Sequence, residues 1–594
     1  MSEEEQTQNI EKKRHSLAHV LAAAVLKHDP EVKIAIGPST DVGFYYDFEF
    51  SEGKTLGEDN LKKLEKEMRN VLKRGFDPEC KEVSVDEARA IFKDQPYKLE
   101  LIEEIQEKTK ESGEKITTYT IGDFTDLCEG PHVANSKEIK PDSFSLSHIA
   151  GAYWRGDEKN TMLTRIYGVA FNTKEELDTY LEQQEEAKKR DHRKLGRELD
   201  LFTFSDVVGK GLPLWTPKGS IIRRELEKFI VDEETKRGYQ HVYTPDIAKL
   251  ELYEKSGHYP HYKDSMYSPI EIDDEKYMLR PMTCPHHYEL YLSKPHSYRE
   301  LPMRIAELAK LYRYEQSGEL SGLIRVRSFC LADAHIICAD EEQAVEEIGN
   351  ALELIEYISN IFGLKLGENY WYRLSLGDRK DTEKYFKNDE AWEKGEDLLR
   401  KLLKKRGSEF VEAEGEAAFY GPKIDVQMRN VNGKEDTAFT VQYDFCMPER
   451  FNLTYTDKDG EDKQAFVVHR SSVGAIERII AFLIEHYAGA FPLWLSPVQV
   501  SILPISDAHL EYAKEVTDTL KEQGIRVELD TNSETLGKKI RNVKLQKTPY
   551  FLVIGDEEVN KKEVTLESRD EGKVGSMTTE ALIEKLSKEI GDKK

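Results

Sequence analysis

Residues 174–199 set the first limit on how this chain can fold. The segment has helical character, a dense load of charge and few apolar positions, so it reads as a solvated linker and not as part of a core. The chain on each side of it must therefore bury its own apolar surface. At 594 residues the whole is also too long for a single core, and roughly three to five domains are expected. Patterning divides it into an N-terminal tail (1–14), a mixed part (15–173), the charged linker helix (174–199), a large part (200–495) and a C-terminal part (496–594).

The mixed part opens with an amphipathic helix over 15–27 and has another over 60–74. The large part holds the densest aromatic content. Its strands are expected at 416–429, 437–446 and 464–470, between long helices, which points to an α+β domain with antiparallel strands. The last part alternates as strand 498–504, helix 508–522, strand 525–529, helix 536–545 and strand 550–554. That order suits a small α/β domain with helices on both sheet faces.

Several classes are excluded. The six cysteines include no C-x-x-C pair, which suits a reducing cytoplasmic setting. The acidic, polar start predicts no secretory signal. The most apolar stretch, 479–495, is broken by Glu485, His486 and Pro492 and cannot span a membrane. A net charge of −26 argues weakly against a nucleic-acid partner, but the run KKRDHRKLGR at 188–197 offers local basic groups for phosphate contacts.

Residues 304–338 read RIAELAKLYRYEQSGELSGLIRVRSFCLADAHIIC. Arg313 and Glu315 alternate on an apparent strand and share a face, and a Ser/Gly loop precedes Arg325 and Arg327. Read alone, this fits a surface salt bridge as well as a phosphate clamp. Cys284 in the turn MTCPHH (282–287), His335 and His469 are far apart in sequence, and spacing alone does not group them. His15 and His19 lie one turn apart on one helix face. Cys128 and His132 share their spacing on a loop containing Gly130 and Pro131. These four could mark a metal site, a hydrolytic site or a helix end facing a polyanion.

Taken together, the segments resemble class II aminoacyl-tRNA synthetases. Residues 219–245 resemble motif 1, residues 304–338 motif 2, and the stretch SVGAIER at 472–478 motif 3, in the family's order. The Cys-His-His set narrows the resemblance to threonyl-tRNA synthetases. The resemblance implies an editing domain, a class II antiparallel-sheet catalytic domain with flanking helices, and a C-terminal α/β anticodon-binding domain. It implies a ligase that adenylates threonine with ATP, transfers it to tRNA(Thr) and hydrolyses mischarged seryl-tRNA(Thr). Arg313 would hold the α-phosphate, Glu315 the adenine amino group, and Arg325 and Arg478 the γ-phosphate, with Mg2+ bridging phosphate oxygens. Lys423 would join Arg313 and Arg478 in catalysis, and Gln442 would lie with the nucleotide.

By the same resemblance Cys284, His335 and His469 would bind one Zn2+, with Asp333 and Tyr420 on the threonine ammonium. A zinc ion that takes both the amine and the hydroxyl of threonine leaves isosteric valine, which offers only the amine, one ligand short; serine still fits. His15, His19, Lys98, Asp126, Cys128 and His132 would form the editing pocket, and Arg541 and Glu558 would touch the anticodon. A homodimer through motif 1 and no membrane association are expected. Three departures stand out: Leu331 occupies a usual Gln position, Glu567 a frequent Arg position, and the family's N-terminal ubiquitin-like domain is expected to be missing.

Overall fold

The structure, a computed structural model, describes residues 3–51, 54, 56–112, 116–431 and 433–594. The chain forms two compact units, Met1–Glu185 and Glu186–Lys594.

The first unit begins with the helix Glu3–His28. Met1 and Ser2 of the expected tail lie outside the described residues. From Glu3 onward the tail is helical, twelve positions earlier than expected from 15–27, because Glu, Gln and Lys propagate a helix as readily as the Ala/Leu run that follows. Leu17, Leu21 and Val25 recur at helical spacing and are fully buried. They pack over an antiparallel sheet ordered Lys33–Ile34, Gly43–Glu49, Met162–Ala170, Phe144–Tyr153. The second expected helix forms as Leu61–Arg74 and buries Leu61, Leu64, Met68 and Leu72. A separate three-stranded sheet, Glu79–Val83, Ile116–Ile121 and Phe124–Leu127, completes the unit.

The charged linker is two helices, Lys174–Arg190 and His192–Glu198, where one was expected. Asp191 leaves helical geometry at ψ 122°, and its carboxylate accepts from the Arg193 N–H, so it ends one helix and caps the next.

In the second unit the centre is an eight-stranded sheet. Its order is Gln240–His241, Met303–Tyr312, Ser328–Cys338, Phe466–Ala475, Glu435–Asp444, Lys423–Arg429, Tyr370–Leu376, Phe410–Glu414. The pairings are antiparallel except at the two edges. One face carries Ala334, Ile336, Val468, Val441, Ile424 and Leu374 into the main core. The helices Glu341–Ile361 and Ile476–His486 cover it with Ile348, Leu352, Ile355, Ile480 and Leu483. Alternate residues point to the opposite face, where the site described below is built.

Four expectations change in detail. Arg313 and Glu315 lie just past the strand that ends at Tyr312. Cys284 opens the helix Cys284–Tyr291 instead of sitting in a turn. The strand expected over 416–429 covers only Lys423–Arg429, since Gly421 and Pro422 interrupt it. The Gly-containing segment 472–475 is strand, continuous with Phe466.

The C-terminal sheet runs Val527–Leu529, Val500–Pro504, Tyr550–Ile554, Val564–Ser568, Gly572–Met577. The first three strands are parallel, and the last two, unforeseen in sequence, add an antiparallel edge. Ile502 and Leu552 pack on one face against Val516 and Leu520. Leu503 and Phe551 pack on the other against Val543.

Gly474 shows why motif 3 contains a glycine. Its φ is +67°, and an added Cβ would stand 2.0 Å from the Ala438 carbonyl oxygen of the neighbouring strand. Replacement by alanine should cost about 2 kcal/mol or more, from strain and forced strand separation. A Gly474→Ala chain that melts at the wild-type Tm would contradict this close approach.

Candidate functional site

Antiparallel register places four chemically active residues side by side. His335 pairs with His469, His469 with Gln442, and Gln442 with Lys423. Directly paired residues on adjacent strands share a face, so this row crosses four strands on the side away from the helices. Two residues along, Asp333, Ser471, Thr440 and Asp425 form a parallel row. A cavity of about 520 Å³ opens over both, within the range of small-molecule sites. Cys284, Arg313, Glu315, Arg325, Asp333, His335, Tyr420, Lys423, Gln442, His469 and Arg478 all line it. The structure thus brings together every residue selected for the catalytic site.

At one end, donor atoms of Cys284, His335 and His469 lie within 4.8 Å of one another, and all three residues are buried. Their neighbours fix the tautomers. His287 Nε2–H donates to Glu307 at 3.2 Å, so its Nδ1 accepts from His335 Nδ1–H at 2.8 Å. That leaves the His335 Nε2 lone pair free. His469 Nε2–H donates to Asp444 Oδ2 at 2.6 Å, which frees Nδ1. Glu307 is itself anchored by Arg280 at 3.1 Å and by the Thr244 hydroxyl at 2.7 Å. Burial, then the charges of His469 and His287, holds the His335 imidazole well below its usual range, so it is neutral. Imidazoles with outward lone pairs, backed by carboxylates, and a neighbouring thiol make a three-donor set that could hold a metal ion with room for a further ligand. Tyr420 stacks on His469 with centroids 4.9 Å apart and donates its hydroxyl to Gln442. Asp333 lies beside this end, with its carboxyl raised by burial.

The other end is cationic. Arg478 spends Nε on the Ile324 carbonyl at 2.9 Å and Nη1 on the Thr437 carbonyl at 2.6 Å. Arg313 donates to the Pro281 carbonyl at 3.3 Å, and its guanidinium lies 5.2 Å from the Phe329 ring centroid. Neither has a salt-bridge partner within 4 Å among the described residues, and burial lowers both from the usual arginine range. Arg325 sits 3.6 Å from Glu315 and from Glu319. Lys423 is held by Asp425 at 2.8 Å, and Arg373 grips the same carboxylate at 2.9 Å. The Arg313 and Arg478 guanidiniums, poorly solvated and with no carboxylate within 4 Å among the described residues, suit a polyanion.

The first unit holds a second cluster. His15, His19, Cys128 and His132 bring donor atoms within 4.8 Å of one another. Cys128 Sγ lies 3.4 Å from His15 Nε2 and 3.3 Å from His132 Nε2. Buried Lys98 and Asp126 pair at 2.5 Å, and Asp126 lies 3.6 Å from His19. All six residues chosen for this site therefore converge. Burial pushes the Cys128 thiol up to about 12 and, with His19 and His15, brings His132 down to about 2. His15 and His19 are also lowered, chiefly by burial. The histidines and the Cys128 thiol of the cluster are neutral near pH 7.

The C-terminal candidates are less distinctive. Arg541 is exposed on the helix Leu536–Leu545. Glu558 is occupied locally, accepting from the Gly555 N–H at 2.9 Å and the Thr565 hydroxyl at 2.6 Å. Sequence reasoning missed Asp444, Glu307, Phe329 and His258, whose Nε2 lies 3.9 Å from Cys284 Sγ. Strand alternation could have found Asp444, two residues beyond Gln442. Nothing in the sequence marks His258, on a four-residue helix after Gly257.

Comparison with known proteins agrees with this arrangement. The family model for the tRNA synthetase class II core domain (G, H, P, S and T) matches residues 267–487. The anticodon binding domain matches 499–589, and the threonyl and alanyl tRNA synthetase second additional domain matches 116–167. A threonine–tRNA ligase of Clostridium botulinum (strain Alaska E43 / Type E3) is 51% identical over 582 residues, covering 98% of this chain and 89% of that protein. One from Geobacillus sp. (strain WCH70) is 50% identical over 580 residues, covering 97% and 88%. The RNA binding domain of threonyl-tRNA synthetase from Cryptosporidium parvum Iowa II superposes with a TM-score of 0.63 at 37% identity, over 67% of this chain and 98% of that one.

The desolvated histidines of the first unit give a pH signature. Their folded-state values lie below 6.5, so on acidification the unfolded chain takes up protons first. Stability is therefore full above about pH 6.5 and is lost as pH falls below it. Thermal melts should show Tm dropping between about pH 7 and pH 5, with a shallower drop for His132→Asn. Identical slopes would show that His132 is not held neutral.

Proposed function

The chain belongs to the threonine–tRNA ligase family, and from that premise we propose that the sheet cavity activates threonine with ATP and passes it to tRNA(Thr). The first unit then hydrolyses seryl-tRNA(Thr). The observation that carries this reading is the row across four strands, which sets a Cys-His-His donor set beside uncompensated arginines in one cavity.

In this reading Arg313 grips the α-phosphate, Arg325 and Arg478 grip the γ-phosphate, and Glu315 accepts from the adenine amino group. The threonine carboxylate attacks the α-phosphorus in line, and pyrophosphate leaves. Charge builds on the phosphoryl oxygens, and Arg313, Arg478 and Lys423 are already placed to meet it, so little reorganisation is needed. Magnesium bound with ATP supplies further neutralisation of the phosphates. Cys284, His335 and His469 would hold zinc, which supplies an electrophilic position selective for a vicinal amine and hydroxyl. Asp333 and Tyr420 orient the ammonium, and Gln442 is tied to Tyr420.

Serine carries the same two polar groups and escapes this filter. The neutral cluster of the first unit answers that leak. A base of this cluster, for which His15 and His19 are the candidates, takes a proton from water as the water oxygen attacks the seryl carbonyl; the ester C–O bond breaks, and the tRNA terminal oxygen leaves with a proton, beside the Lys98–Asp126 pair. Arg541 and Glu558 would meet the anticodon.

We also propose a homodimer. Val207 and Tyr243, near the motif 1 segment, are 97% and 95% exposed, which an interface would cover. No described helix is long and apolar enough to cross a membrane, and a cytoplasmic location is proposed.

Arg313→Ala should retain the wild-type Tm and lose about 10²–10³-fold in threonine-dependent pyrophosphate exchange; near-normal exchange would refute its role. His469→Ala should lose bound zinc, by elemental analysis, together with threonine activation. Zinc retained in that variant would move the site elsewhere. A His15→Ala, His19→Ala double variant should accumulate seryl-tRNA while charging threonine normally, and undiminished deacylation would remove the editing assignment.

A further inference from the structure

His192 stands outside every role assigned above, yet it is 2% exposed and both ring nitrogens are engaged. It is the first residue of the helix His192–Glu198, near the start of the second unit. Its Nδ1 lies 2.7 Å from Glu485 Oε1, and its Nε2 lies 3.1 Å from the backbone nitrogen of Leu323. Glu485 is buried on the helix Ile476–His486, and its other oxygen accepts from the Val431 N–H at 3.2 Å. A carboxylate can only accept here, so Nδ1 carries the proton and Nε2 presents its lone pair to the Leu323 N–H.

Leu323 belongs to the Ser/Gly loop before Arg325. The loop closes on itself, with Ile324 and Arg325 N–H groups donating to the Ser321 carbonyl at 2.9 and 3.3 Å. The Ile324 carbonyl accepts from Arg478 Nε, so one short segment holds both arginines read as phosphate ligands. Gly322 adopts φ +51°, and an added Cβ would stand 2.1 Å from His192 Nε2. The loop therefore approaches the imidazole as closely as a glycine allows.

We propose that His192 is a positioning residue for nucleotide binding. Its Nε2 pegs the Leu323 N–H and thereby sets Arg325, and the carbonyl that orients Arg478, at the spacing the ATP phosphates require. This rests on the reading of Arg325 and Arg478 as phosphate ligands. The peg tightens ATP binding without touching the nucleotide, and it leaves the threonine end of the cavity alone.

The test is pyrophosphate exchange by the full-length chain, with ATP and threonine varied separately. His192→Phe keeps the bulk and removes both the Nε2 acceptor and the Nδ1–H donor to Glu485. It should raise the ATP KM about tenfold or more, the scale of the lost buried hydrogen bonds, with the threonine KM unchanged. His192→Gln restores an acceptor near Nε2 and should return the ATP KM to within about twofold of wild type. Gly322→Ala, which displaces the loop from the other side, should reproduce the His192→Phe effect and covers the case in which that variant does not fold. An unchanged ATP KM in His192→Phe or Gly322→Ala, or equal changes in both KM values, would overturn the proposal. Failure of the parent reading is separate: Arg325→Ala and Arg478→Ala would then keep the wild-type ATP KM, whatever the His192 and Gly322 variants show.

Discussion

Strand register is the constraint on which the catalytic unit depends. His335, His469, Gln442 and Lys423 come from four strands far apart in sequence, and only the pairing of those strands makes them neighbours. A slip of one residue in any strand would send its member of the row into the helix-covered core and bring a Val or Ile into the cavity. The core face thus enforces the site. Ile336, Val468 and Val441 are buried against the helices, and their alternation fixes which residues face the substrate.

Removal of water is the second shared theme, and the two units use it in opposite senses. In the cavity, solvent is withdrawn from Arg313 and Arg478, whose direct partners are carbonyls, a ring and a sulfur, while Glu315 and Asp436 act on them from beyond ion-pair distance. On the reading proposed above, that arrangement costs stability in the free protein and a phosphate repays it on binding. In the first unit, withdrawal of solvent instead discharges the groups, leaving His132, His19 and the Cys128 thiol neutral. One environment keeps its groups charged, and the other keeps them neutral.

Much of this was legible in the sequence, for identifiable reasons. The alternation of the C-terminal part and the three motif segments carry local patterns, and the structure places them as strands and helices close to the expected bounds. The metal donors carry no local pattern. Only family resemblance grouped Cys284 with His335 and His469, because their proximity is a tertiary fact. The outer carboxylate Glu307 was missed for the same reason, as was His258, whereas the alternation that sets Asp444 two residues beyond Gln442 was there to be read. The Glu3 start and the break at Asp191 were missed because charged residues propagate helices well, while an Asp cap is visible only when its side chain turns back on the backbone. Residues that touch the expected substrate were easier to read than those that hold them in place.

The two cysteine–histidine clusters also show that donor type does not determine chemistry. In the second unit His335 and His469 meet at 79° with centroids 4.6 Å apart, and the carboxylates Glu307 and Asp444 stand behind the His287–His335 chain and behind His469. In the first unit His15 and His132 are stacked at 26° and 4.3 Å, both Nε2 atoms reach the Cys128 sulfur, and the neighbouring charges are the buried Lys98–Asp126 pair. Similar donor atoms thus stand in different electrostatic surroundings. On the reading proposed above, those surroundings separate a site that reads an amino acid from one that removes the wrong one.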